Sequence, residues 1–225
     1  IGIKFFKIGS GECNNLPLLK HIAKFNKPMI LSTGMNNIKS IKKSVNLLNQ
    51  YDVPLIIMHT TNSYPCPDQF VRLGCIQELK EAFNHKVLVG YSDHSVGEIA
   101  SYGAVSMGAC LIEKHFTDTF ERTGPDIECS MDPKMCNEIS KNINRIYSMK
   151  NTGKEILGIE KEVAKFAFAS VCSIKDIKPG NTFSEKNIWV KRPGTGDFPA
   201  ELFEKILGKK SKNFIKANSQ IKKND

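Results

Sequence analysis

The sequence predicts an α/β fold in which buried parallel strands alternate with helices, followed by a small module of short strands. Five short apolar runs recur at intervals of 23 to 32 residues, enough for one strand, one loop and one helix in each unit. Each run ends in a polar cluster, such as residues 7–12 in the first unit and residues 90–94 in the fourth. Functional groups of such folds lie where strands end and loops begin, so these clusters supply the candidate site residues.

The elements follow from the apolar pattern. Short, nearly continuous apolar runs are expected for strands covered on both faces, and they predict strands over residues 5–8, 28–31, 54–59, 87–89 and 109–112. The segments between them space apolar residues by three and four, which predicts helices over residues 16–25, 37–51, 73–83, 96–107 and 133–147. The sequence therefore contains five strand-helix units, whereas a closed barrel needs eight.

A change in composition divides the chain. Residues 1–149 form the predicted strand-helix domain, and the charged, glycine-interrupted stretch 150–165 is interpreted as a linker. Residues 166–225 are interpreted as a module of short strands, because apolar runs at 166–174 and 187–191 alternate with Pro-Gly turn signals. Trp189 is assigned to the core of this module. A core of this size is marginal by itself, so we expect the module to dock onto another surface.

Composition argues against several classes of function. The 225 residues carry a net charge of +9, but the lysines are dense only in the tail and are not interleaved with aromatic residues. We therefore expect a solvated basic surface that favours anionic small molecules, and no nucleic-acid partner. The sequence shows no membrane span and no signal peptide, and Ile1 suggests a start inside a longer reading frame. Seven cysteines without Cys-x-x-Cys spacing predict reduced thiols, a cytoplasmic protein and no zinc framework.

Alternation along a strand decides which side chains share a face. Ser92 and His94 lie on one face, so the contiguous Ser-Asp-His sequence is not a hydrolytic triad, and His115 shares its face with Glu113 in the next unit. Two histidines on neighbouring strand ends, with oxygen donors nearby, suit a divalent metal that keeps positions open for substrate. The alternative is that one or both are core histidines satisfied by hydrogen bonds.

Other polar residues at the strand ends could bind an anion. One lysine, several hydroxyls and an amide follow the predicted strands, accompanied by glycines that permit close approach of the backbone. The donors are Lys7, Ser10, Ser32, Asn62 and Ser92. Together they form a candidate phosphate cradle, although Ser, Thr and Gly also commonly terminate strands. No Walker-type motif or complete Gly-x-Gly-x-x-Gly is present, so a nucleotide is not indicated.

Two further charged residues lie in loops. Asp126, in the loop after the last predicted strand, could reach a polar ligand or could simply form a turn. Arg192 lies in a Gly/Pro-rich loop of the small module, where a guanidinium suits bidentate recognition of a ligand. An exposed surface arginine is the alternative.

The ordered motifs of the whole chain closely resemble those of sialic acid synthases. The matching stretches are KIGSGECNN from Lys7, ILSTGMN from Ile30, HTTNSYP from His59, GYSDH from Gly90, EKHFTD from Glu113, GPDIECSM from Gly124, FAFASV from Phe166 and KRPGTGDF from Lys191. The resemblance implies condensation of phosphoenolpyruvate with N-acetylmannosamine to give N-acetylneuraminate. It also implies a TIM-type (β/α)8 barrel, of which only units four to eight are present, followed by an antifreeze-like (SAF) domain.

The resemblance also implies roles for individual residues. His94 and His115 would hold Mn²⁺ or another divalent ion such as Mg²⁺ or Co²⁺, and Arg192 would reach a partner's active site in a homodimer with swapped SAF domains. The expected phosphoenolpyruvate-binding residues are Lys7, Ser10, Ser32, Asn62 and Ser92, with Lys7 also in a catalytic role. The expected sugar-binding residues are Glu12, Tyr64, Asp126 and Phe166.

Two departures from the family pattern matter. The first three strand-helix units are missing, together with a catalytic carboxylate, a further lysine and other substrate contacts expected there. The flank of an open five-strand sheet would be unpaired, so we expect the 225-residue chain alone to be inactive. The second departure is local, because Arg122-Thr123 precedes Gly-Pro-Asp where Arg-Pro is expected.

Alternative functions remain at this stage. Within the same class, the product could be legionaminic or pseudaminic acid, although Asn62 and Asp197-Phe198 favour the N-acetylmannosamine branch as the resemblance is interpreted. From a different class, the chain could be a non-catalytic carbohydrate- or ice-binding protein, or a basic surface for polyanions. The presence of both His94 and His115 together with the full set of donors argues against a non-catalytic binding protein.

Overall fold

The computed structural model describes residues 2–150 and 152–225. The chain forms two compact units, Ile1–Asn151 and Thr152–Asp225, which are described separately below. Ile1, the basis of the expected internal start, and Asn151, within the predicted linker, lie outside the described residues. None of the helices in the described ranges combines the length and apolar character needed to cross a bilayer.

The first unit is a parallel five-stranded sheet whose strands follow chain order. The strands are β1 (Phe6–Ile8), β2 (Met29–Ser32), β3 (Leu55–His59), β4 (Leu88–Asp93) and β5 (Ile112–Lys114). The helices are α1 (Leu16–Ala23), α2 (Ile38–Leu48), α3 (Asp68–Val71), α4 (Cys75–Ala82), α5 (Ile99–Ser106) and α6 (Pro133–Met149). This arrangement is the predicted alternation of parallel strands and helices.

Burial of one helix face against the sheet explains the local structure of the first unit. In α2, Ile41, Val45 and Leu48 are buried at a spacing of four and three residues, while Asn37 caps the helix by accepting a hydrogen bond from the Ser40 amide at 2.9 Å. Leu31 of β2 is fully buried in the same core. The packed helices thereby fix the strands whose carboxyl ends carry the polar clusters.

The sheet curls strongly. Lys7, on the first strand, places its Nζ 3.4 Å from Oε1 of Glu113, on the fifth strand. Since β1 and β5 are the outermost strands of this sheet, a contact between their side chains requires a concave surface. The polar residues at the carboxyl ends of the strands therefore face a common space.

The observed strands differ most from prediction at β4 and β5. The predicted fourth strand ended at residue 89, whereas β4 continues to Asp93, and the predicted fifth strand ended where β5 begins, at Ile112. Pairing does start inside the predicted run, because the Cys110 amide donates to the Val89 carbonyl at 2.9 Å. The apolar runs end before the strands do, because β4 and β5 carry polar side chains at their carboxyl ends.

The second unit contains a two-stranded antiparallel sheet and two helices. These are α7 (Lys161–Ala167), β6 (Ser170–Ser173), β7 (Ile188–Lys191) and α8 (Phe203–Ile206). Its core is formed by Val171, Ile177, Phe183, Ile188, Ile206, Ile215 and Ile221. Strands, loops and helix α8 all contribute residues to this core.

Two predictions for the second unit were wrong. Phe166 was assigned to a strand but lies in helix α7, which begins at Lys161. Trp189 does not lie in the core: it is 50% exposed and packs edge-on against Phe203, with ring centroids 5.4 Å apart. Along β7, Trp189 points away from the core because its neighbour Ile188 is the buried residue.

Candidate functional site

The strand ends bring together two charged and two neutral polar side chains in a connected group, which we name the lysine cluster: Lys7, Ser32, Ser92 and Glu113. Lys7 Nζ donates to Ser32 Oγ at 2.8 Å, and Ser92 Oγ donates to Glu113 Oε1 at 2.8 Å. The ion pair between Lys7 and Glu113 joins the two hydrogen-bonded pairs. Four strands thus contribute to one polar surface.

Glu113 is the member of this cluster that the sequence did not predict as a site residue. Its position was indicated by the shared face with His115, but the phosphate cradle was assigned from donors alone. A carboxylate accepts hydrogen bonds and offsets the charge of Lys7, so it would lower the affinity of the predicted cradle for an anion. It also accepts from Ser92, which orients that hydroxyl.

Ser10 and Asn62 lie in a second, tightly packed group around Gly34. The Gly34 amide donates to Ser10 Oγ at 3.0 Å. A Cβ at Gly34 would lie 1.8 Å from Asn62 Oδ1 and 2.9 Å from both Ser10 Oγ and Thr60 Cγ2. Glycine is therefore required here by close approach of the two predicted anion donors.

Replacement of Gly34 by alanine is expected to displace Asn62 and Ser10 and to weaken the predicted binding of phosphoenolpyruvate about 10- to 100-fold, because overpacking costs about 1–3 kcal/mol. Binding measured by calorimetry checks this expectation. Gly9→Ala is the matched control, since a Cβ at Gly9 would meet nothing within 4 Å. Equal binding by the Gly34→Ala and Gly9→Ala variants would contradict the proposed close approach.

The two predicted metal-binding histidines lie close together. The ring centroids of His94 and His115 are 5.5 Å apart, and the ring of Tyr64 lies 4.1 Å from His94 and 5.5 Å from His115. His94 is buried and donates from Nδ1 to the Thr61 carbonyl at 2.8 Å. This bond leaves Nε2 of His94 for a ligand, as in metal sites whose second ring nitrogen is held by the protein.

The chemistry of this histidine pair fits a divalent ion. Burial lowers the pKa of His94, an effect that the bond to Thr61 partly opposes, and a lowered pKa favours the neutral ring that can bind a metal. Two imidazoles whose ring centroids are 5.5 Å apart would suit one shared divalent ion. Within residues 2–150 and 152–225, no group of three or more His, Cys, Asp or Glu residues forms a metal cage. A two-histidine site leaves several coordination positions for substrate or water.

Three of the expected sugar-binding residues lie in the first unit. Burial raises the pKa of the Tyr64 hydroxyl, and the negative charge of Asp126 raises it further. The hydroxyl therefore stays protonated and can donate a hydrogen bond. Asp126 adopts a left-handed backbone conformation, with φ of 62°, and its carbonyl accepts from Ser130 Oγ at 2.7 Å. Glu12 is exposed, and its Oε2 accepts from Asn15 Nδ2 at 2.6 Å. Tyr64 is thus the residue that the structure places directly beside the histidine pair.

His59 has its hydrogen bond and its ring contact outside this group. Its Nε2 lies 2.8 Å from the Val71 carbonyl, and its ring stacks on Tyr91 with centroids 5.8 Å apart. Burial lowers the pKa of His59, which is consistent with a packed structural side chain. A neighbouring cavity of about 850 Å³ is lined by His59, Gly34 and Asn62 together with residues of α2 and α4. It therefore borders the group around Gly34.

Phe166 and Arg192 belong to the second unit. Phe166 is 70% exposed on α7, and Arg192 is exposed directly after β7. The loop that follows Arg192 is held to α7 by a 2.9 Å bond from the Gly194 amide to the Lys165 carbonyl. Ser170 Oγ also donates to the Pro193 carbonyl at 2.9 Å. The arginine therefore projects from a loop that the rest of the unit fixes.

Fold and site together define an α/β protein with a half-barrel of parallel strands, whose polar groups gather at the carboxyl edge, and with a small antiparallel module. Residues 1–155 match the model of the NeuB family, and residues 168–225 match the model of the SAF domain. The chain belongs to the NeuB family.

Relatives of the chain are sugar acid synthases. It is 42% identical over 213 residues to N,N'-diacetyllegionaminic acid synthase of Campylobacter jejuni, covering 93% of this chain and 63% of that protein. The chain is thus shorter than the relative that it matches. A solved structure of N-acetylneuraminic acid synthetase from Leptospira borgpetersenii, in complex with citrate, is 32% identical with a TM-score of 0.67, covering 72% of this chain and 56% of that chain.

A second solved structure extends the likeness to the whole chain. The putative spore coat polysaccharide biosynthesis protein E from Chromobacterium violaceum is 25% identical with a TM-score of 0.75. The match covers 100% of this chain and 68% of that chain. Both units of this chain therefore have counterparts in one related protein.

Proposed function

We propose that this chain carries much of the active site of a phosphoenolpyruvate-dependent sugar acid synthase. The enzyme condenses phosphoenolpyruvate with an N-acetylated sugar aldehyde and releases phosphate. The observation that supports this proposal is the convergence of the lysine cluster and the His94–His115 pair at one edge of the sheet. A phosphate site beside a metal site is what this condensation requires.

We further propose that the sheet comprises units four to eight of a closed (β/α)8 barrel. The contact between Lys7 and Glu113 supports this, because it shows that the outer strands already curve toward each other. The three remaining units would pair with the free edges of β1 and β5 and would supply further substrate contacts.

Each group has a role in substrate binding. Lys7 supplies the positive charge for the phosphate, and the hydroxyls of Ser32 and Ser92 donate to its oxygens. Ser10 and Asn62, packed against Gly34, complete the cradle. Glu113 holds Lys7 and Ser92 in place before the substrate arrives.

His94 and His115 would hold Mn²⁺ or a related divalent ion. That ion would act as a Lewis acid that polarises the aldehyde oxygen of the open-chain sugar. Tyr64 lies against both rings. Its protonated hydroxyl, together with Glu12 and Asp126, would bind the hydroxyl and amide groups of the sugar.

The reaction then balances without a redox partner. C3 of phosphoenolpyruvate forms a bond to C1 of the sugar, whose oxygen becomes a hydroxyl after protonation. The resulting cation at C2 of the pyruvyl group takes up water, loses a proton and expels phosphate by cleavage of the carbon–oxygen bond. The cradle and the histidine pair hold the two reacting carbons together, and this proximity supplies a large share of the rate enhancement.

The sugar is N-acetylmannosamine or a related N-acetylated sugar that leads to legionaminic or pseudaminic acid. Asn62 and Asp197-Phe198 favour the first as the sequence was interpreted, whereas the 42% identity to a legionaminic acid synthase favours the second. Both kinds of sugar are therefore to be tested as substrates. Cytoplasmic location and the absence of nucleic-acid and membrane partners stay predictions.

The test joins this chain to the N-terminal units of the Campylobacter jejuni relative; we call this the complemented enzyme. It is expected to release phosphate from phosphoenolpyruvate only when a suitable sugar and Mn²⁺ are present. The 225-residue chain alone is expected to be inactive. Sugar-independent release would contradict the proposed reaction, and release by the chain alone would contradict the need for the additional units.

We also propose a homodimer in which Arg192 binds the sugar in the partner's site. Arg192→Ala in the complemented enzyme is expected to raise the Michaelis constant for the sugar about 10-fold or more, as loss of a charged hydrogen bond costs about 1.5–3 kcal/mol. The constant for phosphoenolpyruvate should change little. Lys186→Ala, also exposed in the second unit, is the control. An unchanged sugar constant and turnover would count against the capping role.

A further inference from the structure

A buried ion pair lies directly behind the two histidines, on the outer face of β4 and β5. Asp93 and Lys114 have fully buried side chains, with Lys114 Nζ 3.3 Å from Asp93 Oδ2. Asp93 Oδ1 accepts from the amide and hydroxyl of Ser95 at 2.9 and 2.7 Å, and Asp93 Oδ2 accepts from Ser101 Oγ at 2.7 Å. Lys114 Nζ also donates to the Ser95 carbonyl at 2.6 Å. The pair therefore joins two strands, the loop after β4 and helix α5.

Stability alone does not account for this pair. Removing two charges from water carries a penalty that their mutual attraction repays only with excellent geometry, and apolar replacements of such pairs are often as stable. In the part of the chain that the structure describes, no buried polar side-chain atom lacks a hydrogen-bond partner. A fully hydrogen-bonded ion pair differs from an apolar pair in being directional. Its hydrogen bonds form in only one register of the two strands.

That register determines the geometry of the site. Asp93 pairs with Lys114 across the two strands, directly beside the paired Ser92 and Glu113. Each charged residue immediately precedes a histidine in the chain. A shift of one strand against the other would therefore separate the members of the lysine cluster and change the distance between the histidine rings.

We propose that Asp93 and Lys114 are positioning residues that hold the imidazoles of His94 and His115 at the spacing needed to share one divalent ion. Neither residue contacts the ion or the substrate; both act through the strand backbone. The inference rests on the proposed metal site. It assigns a positioning role to Asp93 and Lys114, whereas the histidines that follow them would bind the ion.

The test uses the 225-residue chain with Co²⁺, whose visible absorption reports coordination geometry. Asp93→Asn alone leaves the ammonium of Lys114 without its counter-ion, so its melting temperature is expected to fall by about 10 °C. The double variant Asp93→Asn with Lys114→Met removes both charges and is expected to regain most of this loss. If the pair positions the histidines, the double variant still binds Co²⁺ about 10- to 100-fold more weakly and with an altered spectrum.

Leu48→Ala is the control for stability, since Leu48 is fully buried in α2 and away from the histidines. It is expected to lose thermal stability while keeping the affinity and spectrum of the unmodified chain. Affinity and spectrum in the double variant equal to those of the unmodified chain would overturn the inference. So would a loss of affinity in Leu48→Ala as large as in the double variant.

A second readout separates failure of this inference from failure of the proposed metal site. If the unmodified chain does not bind Co²⁺, the metal proposal fails, and nitrogen NMR of the His94 ring then decides the question of positioning. The bond to Thr61 fixes the proton on Nδ1. The double variant is expected to change the tautomer signal of His94, whereas Leu48→Ala is not. An unchanged signal in the double variant would overturn the inference.

Discussion

Replacing either His94 or His115 with alanine is expected to eliminate tight binding of Mn²⁺ and to lower turnover of the complemented enzyme by at least about 10³-fold, since Lewis-acid activation supplies several kcal/mol. A single imidazole is not expected to replace the pair, because His94 and His115 are the two protein ligands that we propose for the ion. Electron paramagnetic resonance of free Mn²⁺ measures binding to the 225-residue chain. Phosphate release measures turnover.

The matched control for the histidine variants is His21→Ala, because His21 is an exposed residue of α1. It should bind Mn²⁺ and turn over like the unmodified protein. Circular dichroism establishes that the variants stay folded. Near-normal activity of His94→Ala or His115→Ala in chelator-treated buffer would contradict the metal proposal, whatever the state of the phosphate cradle.

Replacing Lys7 with methionine is expected to weaken phosphoenolpyruvate binding about 10- to 100-fold, because a hydrogen bond to a charged group contributes about 1.5–3 kcal/mol. Lys7 brings the positive charge to the cluster, while Ser32 and Ser92 contribute only neutral donors. Calorimetric titration of phosphoenolpyruvate into the chain, without sugar, isolates this step. Metal binding should change little in the same variant.

Glu113 provides a contrast to Lys7 within one cluster. Glu113→Gln removes the carboxylate that pairs with Lys7 but keeps the shape and an acceptor oxygen, so phosphate binding is expected to stay equal or tighten. Lys20→Met, at an exposed position of α1, controls for loss of a lysine far from the cluster. Equal binding by Lys7→Met and Lys20→Met would remove Lys7 from the proposed cradle.

Much of the fold could be predicted because the apolar pattern reports burial directly. Runs such as the one ending at Leu31 belong to strands covered on both faces, and the face alternation around Asp93 separates outward from inward side chains. Burial of a strand and alternation of its side chains between the two faces both depend on local geometry, which can be predicted from sequence. The strand order was equally accessible, since short helical crossovers place successive parallel strands side by side.

What the sequence could not predict depends on long-range contacts. β5 was placed too early because Glu113 and Lys114 look like loop residues until their partners on β1 and β4 are known. The role of Glu113 became visible only when curvature of the sheet brought it to Lys7. Trp189 was assigned to a core on the basis of its size, whereas packing on Phe203 at the surface accommodates it.

We propose above all that phosphate and a metal ion bind side by side at the carboxyl edge of the parallel sheet. The most direct test is phosphorus NMR of phosphoenolpyruvate in the presence of Mn²⁺ and the 225-residue chain. The account predicts that the chain speeds phosphorus relaxation because the paramagnetic ion is held near the bound phosphate. The double variant His94→Ala with His115→Ala should lose this enhancement, while still binding phosphoenolpyruvate through Lys7. Equal relaxation with the unmodified chain and with the double variant, at the same total Mn²⁺, would contradict the account.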